Sequence, residues 1–241
     1  MQFFTSLRSL FIRLNPELSC AWDLKLQEQE QCNNQIQLFP SSLEEFHIWN
    51  LTDRVQSHLL SCLPAITKLD IWRSLELTSL ELGCCTALKE LAIGHCDSLA
   101  SIEGLHLCRN LTSLKVINSL ASDPVWSLCR TSKASGIWSG LETLEISDAS
   151  VLSTPLCTQL TSLRCLQLSH RGLVSLTEEQ ETALQLLTSL HQFKFSNCLN
   201  LLSLPANLHR LTSSSGYVSF NVRASQGCQT WASHFHSGEL T

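Results

Sequence analysis

The chain has 241 residues, 44% apolar and 15% charged, with a net charge of −5. So apolar a composition excludes a disordered chain, and the acidic balance argues against the clustered basic surface that nucleic acid requires. No apolar run reaches the roughly 18 residues of a membrane helix, so no membrane partner is expected.

The start, MQFFTSLRSLFIRL, is interrupted by Arg8 and Arg13 and has no basic leader, which argues against a signal peptide. Twelve cysteines in a chain of this length fall below the density of a disulfide scaffold. Together these features predict free thiols in a reducing compartment and a cytoplasmic location.

Read in chain order, L-x-x-L-x-(L/I/V/F) recurs. It occurs at Leu7-Leu10-Ile12, Leu43-Phe46-Ile48, Ile66-Leu69-Ile71 and Leu88-Leu91-Ile93. It returns at Leu111-Leu114-Val116, Leu141-Leu144-Ile146, Leu163-Leu166-Leu168 and Leu190-Phe193-Phe195. The intervals between first positions are 36, 23, 22, 23, 30, 22 and 27 residues. Most lie in the range of roughly 20–29 residues that defines a leucine-rich repeat. Apolar residues at the fourth and sixth positions alternate with polar ones, the period of a strand. One unit cannot bury its apolar side alone, whereas stacked units bury a continuous core. The fold class predicted is therefore α/β, a leucine-rich-repeat solenoid curved as a horseshoe. Its parallel sheet would be concave, with short helices or irregular turns on the convex side. About eight irregular repeats span residues 1–212.

The consensus places Asn or Cys three residues past the sixth position, where the side chain turns inward and bonds nearby backbone. Asn15, Cys96 and Cys198 stand there, while Leu51, Ser74, Ser119, Ala149 and Arg171 depart from it. Insertions are expected near residues 13–42 and 119–140, the latter with Trp126 and Trp138 packing back on the convex side. The segment TEEQETALQLL (177–187) predicts the clearest helix. Thr177 caps it, Gln180 completes a capping box, and Ala183, Leu184 and Leu187 form its apolar stripe. Beyond Leu211 the Ser- and Gly-rich stretch has no leucine where the next strand needs one. Residues 213–241 are therefore expected to be a poorly ordered, non-repeat tail.

The stretches FPSSLEEFHIWN (39–50), ALKELAIGHCDSLASIEGL (87–105), SGLETLEISD (139–148) and SLTEEQETALQLLTSLHQFKFSNCLNLLSLPANLHRLT (175–212) carry a resemblance. They resemble the leucine-rich-repeat region of plant, grass-type, intracellular nucleotide-binding disease resistance proteins. That resemblance implies a sensor region of an immune receptor, with a pathogen effector or a host protein as its ligand. It also implies a nucleotide-binding domain of a longer receptor as an internal partner. No G-x-x-x-x-G-K-[ST] loop is present, so the chain reads as a fragment lacking the nucleotide-binding switch. The alternative is a scaffold or substrate adaptor in ubiquitin ligation or signalling, using the same surface.

Outward strand positions form the candidate protein-binding face. They comprise Glu45, His47, Trp49, Lys68, Asp70, Trp72, Glu90, Lys115, Ile117, Glu145, Gln167 and Lys194. In register, Trp49 and Trp72 would be neighbours about 4.8 Å apart across a strand pair, with Gly94 leaving space before Ile117. Glu45, Lys68 and Glu90 would alternate in sign along one row. No catalytic residue, cofactor or metal is assigned. His95, Cys96, His106 and Cys108 near Cys84 and Cys85 lack paired C-x₂₋₄-C or H-x₃₋₅-H spacing, and no G-x-S-x-G elbow occurs.

Overall fold

Period-two alternation builds the strands, and each strand is short because a polar turn follows its second inward residue. The computed structural model describes residues 6–15, 39–63, 65–118, 138–205 and 217–221. The chain divides into two units, Met1–Ile137 and Trp138–Thr241. The first contains, in order, β1 (Ser9–Arg13), β2 (Glu45–Trp49), α1 (Asp53–Ser61), β3 (Lys68–Trp72), β4 (Ser79–Glu81), β5 (Glu90–Gly94), β6 (Ser101–Glu103) and β7 (Ser113–Ile117). Strands β1, β2, β3, β5 and β7 lie side by side, all parallel, with Ser9, Glu45, Lys68, Glu90 and Ser113 in one register row. That row reproduces the leucine intervals. Phe46, Ile48, Leu69, Ile71, Leu91, Ile93, Leu114 and Val116 point inward and are buried.

The backbone explains why the register is unique. At each strand entrance one carbonyl accepts two N–H donors from the next repeat. Arg8 O takes Glu44 N and Glu45 N at 2.8 and 2.9 Å, and Glu44 O takes Thr67 N and Lys68 N at 2.8 and 3.1 Å. Thr67 O then takes Lys89 N and Glu90 N, and Lys89 O takes Thr112 N and Ser113 N. At the exits Asn50 N bonds Trp72 O, Arg73 N bonds Gly94 O and His95 N bonds Ile117 O. The exit residues Asn50, Arg73, His95 and Asn118 all have positive φ. Asn and His enter this left-handed region more readily than most residues.

Just beyond the exit, Cys96 and Cys198 turn inward and meet backbone from inside the core, as expected, whereas Asn15 at the equivalent position is exposed. Cys96 Sγ lies 3.5 Å from Gly94 O and 3.9 Å from Ile71 O. Ser74 does the same work although it departs from the consensus: its Oγ accepts from Leu51 N at 2.9 Å and is fully buried.

Strands β4 and β6 form a second, two-stranded parallel sheet. A helix closes the free edge of β4. The Gln56 amide donates to Ser79 O at 2.6 Å and accepts from Glu81 N at 3.2 Å, so this buried side chain stands in for a strand. Asp53 accepts from Thr78 N and Ser79 N at 2.9 and 3.2 Å and from the Thr78 hydroxyl. Partial burial pushes the Asp53 carboxyl up, but these three donors outweigh it and hold the group below its ordinary value.

The second unit contains β8 (Thr143–Ile146), α2 (Thr154–Cys157), β9 (Cys165–Leu168), α3 (Glu178–Leu184), β10 (Gln192–Ser196) and β11 (Tyr217–Asn221). Its four strands are parallel and neighbour one another in chain order. The capping box of α3 is complete: Gln180 N bonds Thr177 Oγ1 at 3.2 Å and Thr177 N bonds Gln180 Oε1 at 2.9 Å. Ala183, Leu184 and Leu187 are buried, as the helical stripe requires. Gln180 also donates to Ala149 O at 2.8 Å, tying the helix to the preceding repeat. Trp138 is buried within this unit, whereas Trp126 and most of both insertions lie outside the described residues. The repeat array runs past residue 212, because Tyr217–Asn221 pairs with Gln192–Ser196 in full register. The stretch expected to be a non-repeat tail thus contributes a strand, while its other residues lie outside the described set. With inward Leu and Ile repeating in register on one side of parallel strands, both units are stacks of leucine-rich repeats.

Two outcomes follow from this architecture. Leu91, buried between neighbouring repeats, loses about 2–5 kcal/mol of stability when changed to Ala, measured by urea denaturation. Asp53→Asn destabilises the chain at neutral pH. Because the folded-state pKa of Asp53 is depressed, its contribution is fully present above the ordinary carboxylate value and is lost as pH falls from there through the depressed folded-state value. Denaturation curves of the two proteins therefore converge in acid.

Candidate protein-recognition face

In the first unit the outward side chains form three rows across β1, β2, β3, β5 and β7. The entrance row is Ser9, Glu45, Lys68, Glu90 and Ser113; the middle row is Phe11, His47, Asp70, Ala92 and Lys115; the exit row is Arg13, Trp49, Trp72, Gly94 and Ile117. The structure thus brings nine of the predicted face residues onto one sheet. Glu145 and Gln167 pair across β8 and β9, and Lys194 follows on β10, all in the second unit. There the Gln167 amide donates to Glu145 Oε1 at 2.8 Å.

The carboxylates of the first unit's face all lie beside cations or His47. Lys68 Nζ lies 3.4 Å from Glu90 Oε2. His47 Nδ1 lies 2.7 Å from Asp70 Oδ2 and its Nε2 3.6 Å from Glu45 Oε2. A carboxylate only accepts, so the Nδ1 contact carries the ring's N–H. The alternation of Glu45, Lys68 and Glu90 is present as a row, and such cross-strand pairs stabilise register by roughly 0.2–1 kcal/mol each. The His47–Asp70 pair escaped the sequence reading, although in-register His and Asp one repeat apart were its signal.

Trp49 and Trp72 are direct register partners and both are half-buried. Each indole is held differently. Trp49 meets the Phe11 ring edge-on at 6.0 Å, with the Arg13 and Arg73 guanidinium carbons 5.7 and 5.2 Å from its ring centroid. Trp72 lies across Gly94, where an added Cβ would come within 2.1 Å of Trp72 Cζ3. Lys115 Nζ sits 5.8 Å from the Trp72 ring centroid, and the His95 ring is 6.1 Å away. The space expected above Gly94 is therefore filled by Trp72. Ile117, expected to present its side chain, is buried to 8% exposure. Arg73 and His95 were missed because they occupy the turn after the strand, outside the three outward positions.

Of the cysteines near His95, Cys85, Cys96 and Cys108 belong to the core and Cys84 is exposed. Burial pushes the Cys85 thiol up to about 12, with Cys108 and Cys84 adding to the rise, and the Cys108 thiol to about 11. Both are protonated at neutral pH, whereas metal ligation and nucleophilic attack use the thiolate. Among the described residues no group of three metal-ligating side chains gathers.

No family model matches the chain, and no curated protein matches it. Among solved structures it is similar to TLR13 in a complex with ssRNA13, at 16% identity over 90% of this chain and 33% of that one, with a TM-score of 0.42. It is also similar to an internalin, InlF, from Listeria monocytogenes, at 18% identity over 77% of this chain and 62% of that one, with a TM-score of 0.36. The leucine-rich-repeat domain of the type III effector XopL gives 14% identity over 85% and 83%, with a TM-score of 0.37. The chain thus spans a third of the first and under two thirds of the second. At these values the fold rests on the strand ladder described above.

Gly94 positions Trp72 by leaving its ring room to lie flat. Gly94→Ala lifts the indole from the sheet, so Trp72 becomes more accessible to acrylamide. The comparison is made against the same pair of proteins carrying Trp72→Phe, which removes the other tryptophans' contribution.

Proposed function

We propose that this chain is a protein-recognition module that resembles the sensor region of a plant immune receptor. It acts in the cytoplasm and binds a pathogen effector or a host protein on the solvent face of its parallel sheet. The nucleotide-binding domain of a longer receptor is its internal partner in this reading.

One observation carries the proposal: two indoles on adjacent strands, half-exposed, stand in register on a rigid sheet beside charged rows. Half-exposed Trp on a rigid element loses little conformational freedom on binding, and Trp and Arg are enriched at interface hot spots. The sheet supplies the rigidity, since on the strands that carry the two indoles each outward residue alternates with a buried one. The eight free cysteines among the described residues, five of them buried, suit a reducing compartment. Among the described residues no helix is long and apolar enough to cross a membrane.

The test is the paired variant Trp49→Ala and Trp72→Ala in the full chain. Proteins captured from healthy and infected grass-leaf extracts are quantified against wild type, with circular dichroism recorded for both. The expected result is loss of specific capture with an unchanged spectrum. Equal capture by both proteins would remove these indoles from the recognition surface.

A further inference from the structure

Every carboxylate on the first unit's face has a partner on that face. Glu90 faces Lys68, while Asp70 and Glu45 face His47. The strand exits behave differently. Arg13 and Arg73 are exposed, and their interactions among the described residues are with the Trp49 ring, with no carboxylate in ion-pair range. In a chain of net charge −5, two guanidiniums converge on one indole and remain open to solvent. The backbone holds both in place. Arg13 is the register partner of Trp49, and Arg73 sits at the positive-φ exit turn of β3, its N–H bonded to Gly94 O at 2.9 Å.

We propose that Arg13, Trp49 and Arg73 form an oxyanion clamp for a protein ligand. The indole packs against the ligand's backbone or apolar stem, and the two guanidiniums grip an acidic side chain beside it. Arg presents a planar fork of donors that matches carboxylate and phosphate oxygens. Contact with the indole pre-orients each fork, so less freedom is lost when an anion arrives. The chemistry shared by the candidate ligands is an oxyanion on a polypeptide side chain, either a carboxylate or a phosphate. This inference rests on the recognition reading above and names what one part of that face selects.

The experiment follows the indole N–H signals of the full-length ¹⁵N-labelled chain by NMR. The Trp49 signal is assigned by its loss in Trp49→Phe. Three peptides of the form acetyl-Gly-Phe-X-Gly-Gly-amide are titrated, with X as phosphoserine, Glu or Gln. The Trp49 signal is expected to move saturably with phosphoserine or Glu, and the stronger of the two identifies the anion's source. Arg13→Gln with Arg73→Gln should weaken that binding at least about tenfold, while the double Lys variant retains part of it. Unchanged affinity in the Gln double variant, or equal binding of the X = Gln peptide, overturns the clamp and leaves the face reading intact. Tighter binding of an oligouridylate than of any peptide at the same arginines overturns it in favour of nucleic acid. If no peptide moves any indole signal on the face, the clamp and the aromatic recognition surface both fall.

Discussion

The structure depends on one backbone constraint: a strand of five residues cannot satisfy its own hydrogen bonds, so each repeat must present its groups to the next in a single register. The doubly accepting carbonyls of Arg8, Glu44, Thr67 and Lys89 enforce that register at the entrance. The Asn50, Arg73 and His95 N–H groups enforce it at the exit. A slip by one residue would break both sets and also turn Ile48, Ile71 and Ile93 toward water. Hydrophobic burial and backbone pairing therefore select the same arrangement, which is what consistency between local and global preferences means for folding.

On the other side of the repeats the chain is free to vary, because only the apolar anchors are required there. One repeat uses a nine-residue helix, the next two use three-residue strands, and a third device is a short helix with a full capping box. Gln56 shows how different devices are joined. A helix cannot pair with a strand edge, so one buried amide supplies both the donor and the acceptor that β4 would otherwise lack. Gly104 has a related role between repeats. Its φ of 75° and the approach of its ideal Cβ position to within 2.4 Å of Gly83 N leave room for no side chain.

Much of this was legible in the sequence. Leucine spacing matched the pairing rows of β1, β2, β3, β5 and β7 and of β8, β9 and β10, since the residues that set the period are those that face the core. Thr177 and Gln180 named the helix start because capping is local chemistry. Strand β11, Tyr217–Asn221, was missed because no leucine stands near 214, where one was sought; the alternation of Val218 and Phe220 was the remaining signal. Positive φ at Asn50, Asn118 and Asn197 could have been inferred from asparagine recurring at one repeat position. Arg73 in the same position gave no such hint, because backbone pairing there overrides its preference.

The face was legible only in part, for a physical reason. Period two decides which way a side chain leaves the sheet, but not which neighbour it then meets. Long side chains reach beyond their own strand, so their surroundings depend on what stands beside them one or two repeats away in sequence. Trp72 lies flat because position 94 is glycine, and Ile117 in the same row is buried. Arg73 reaches Trp49 across the strand boundary from a turn that counts as outside the face. The result is a division of charge within one surface. In the entrance and middle rows each carboxylate faces Lys68 or His47, and these cross-strand contacts hold the strands in register. At the strand exits Arg13 and Arg73 both rest against the Trp49 ring, where a cation is stabilised without being neutralised. A cation held that way still carries its full charge and free donors, so the same contacts that order the arginines leave them able to select a partner.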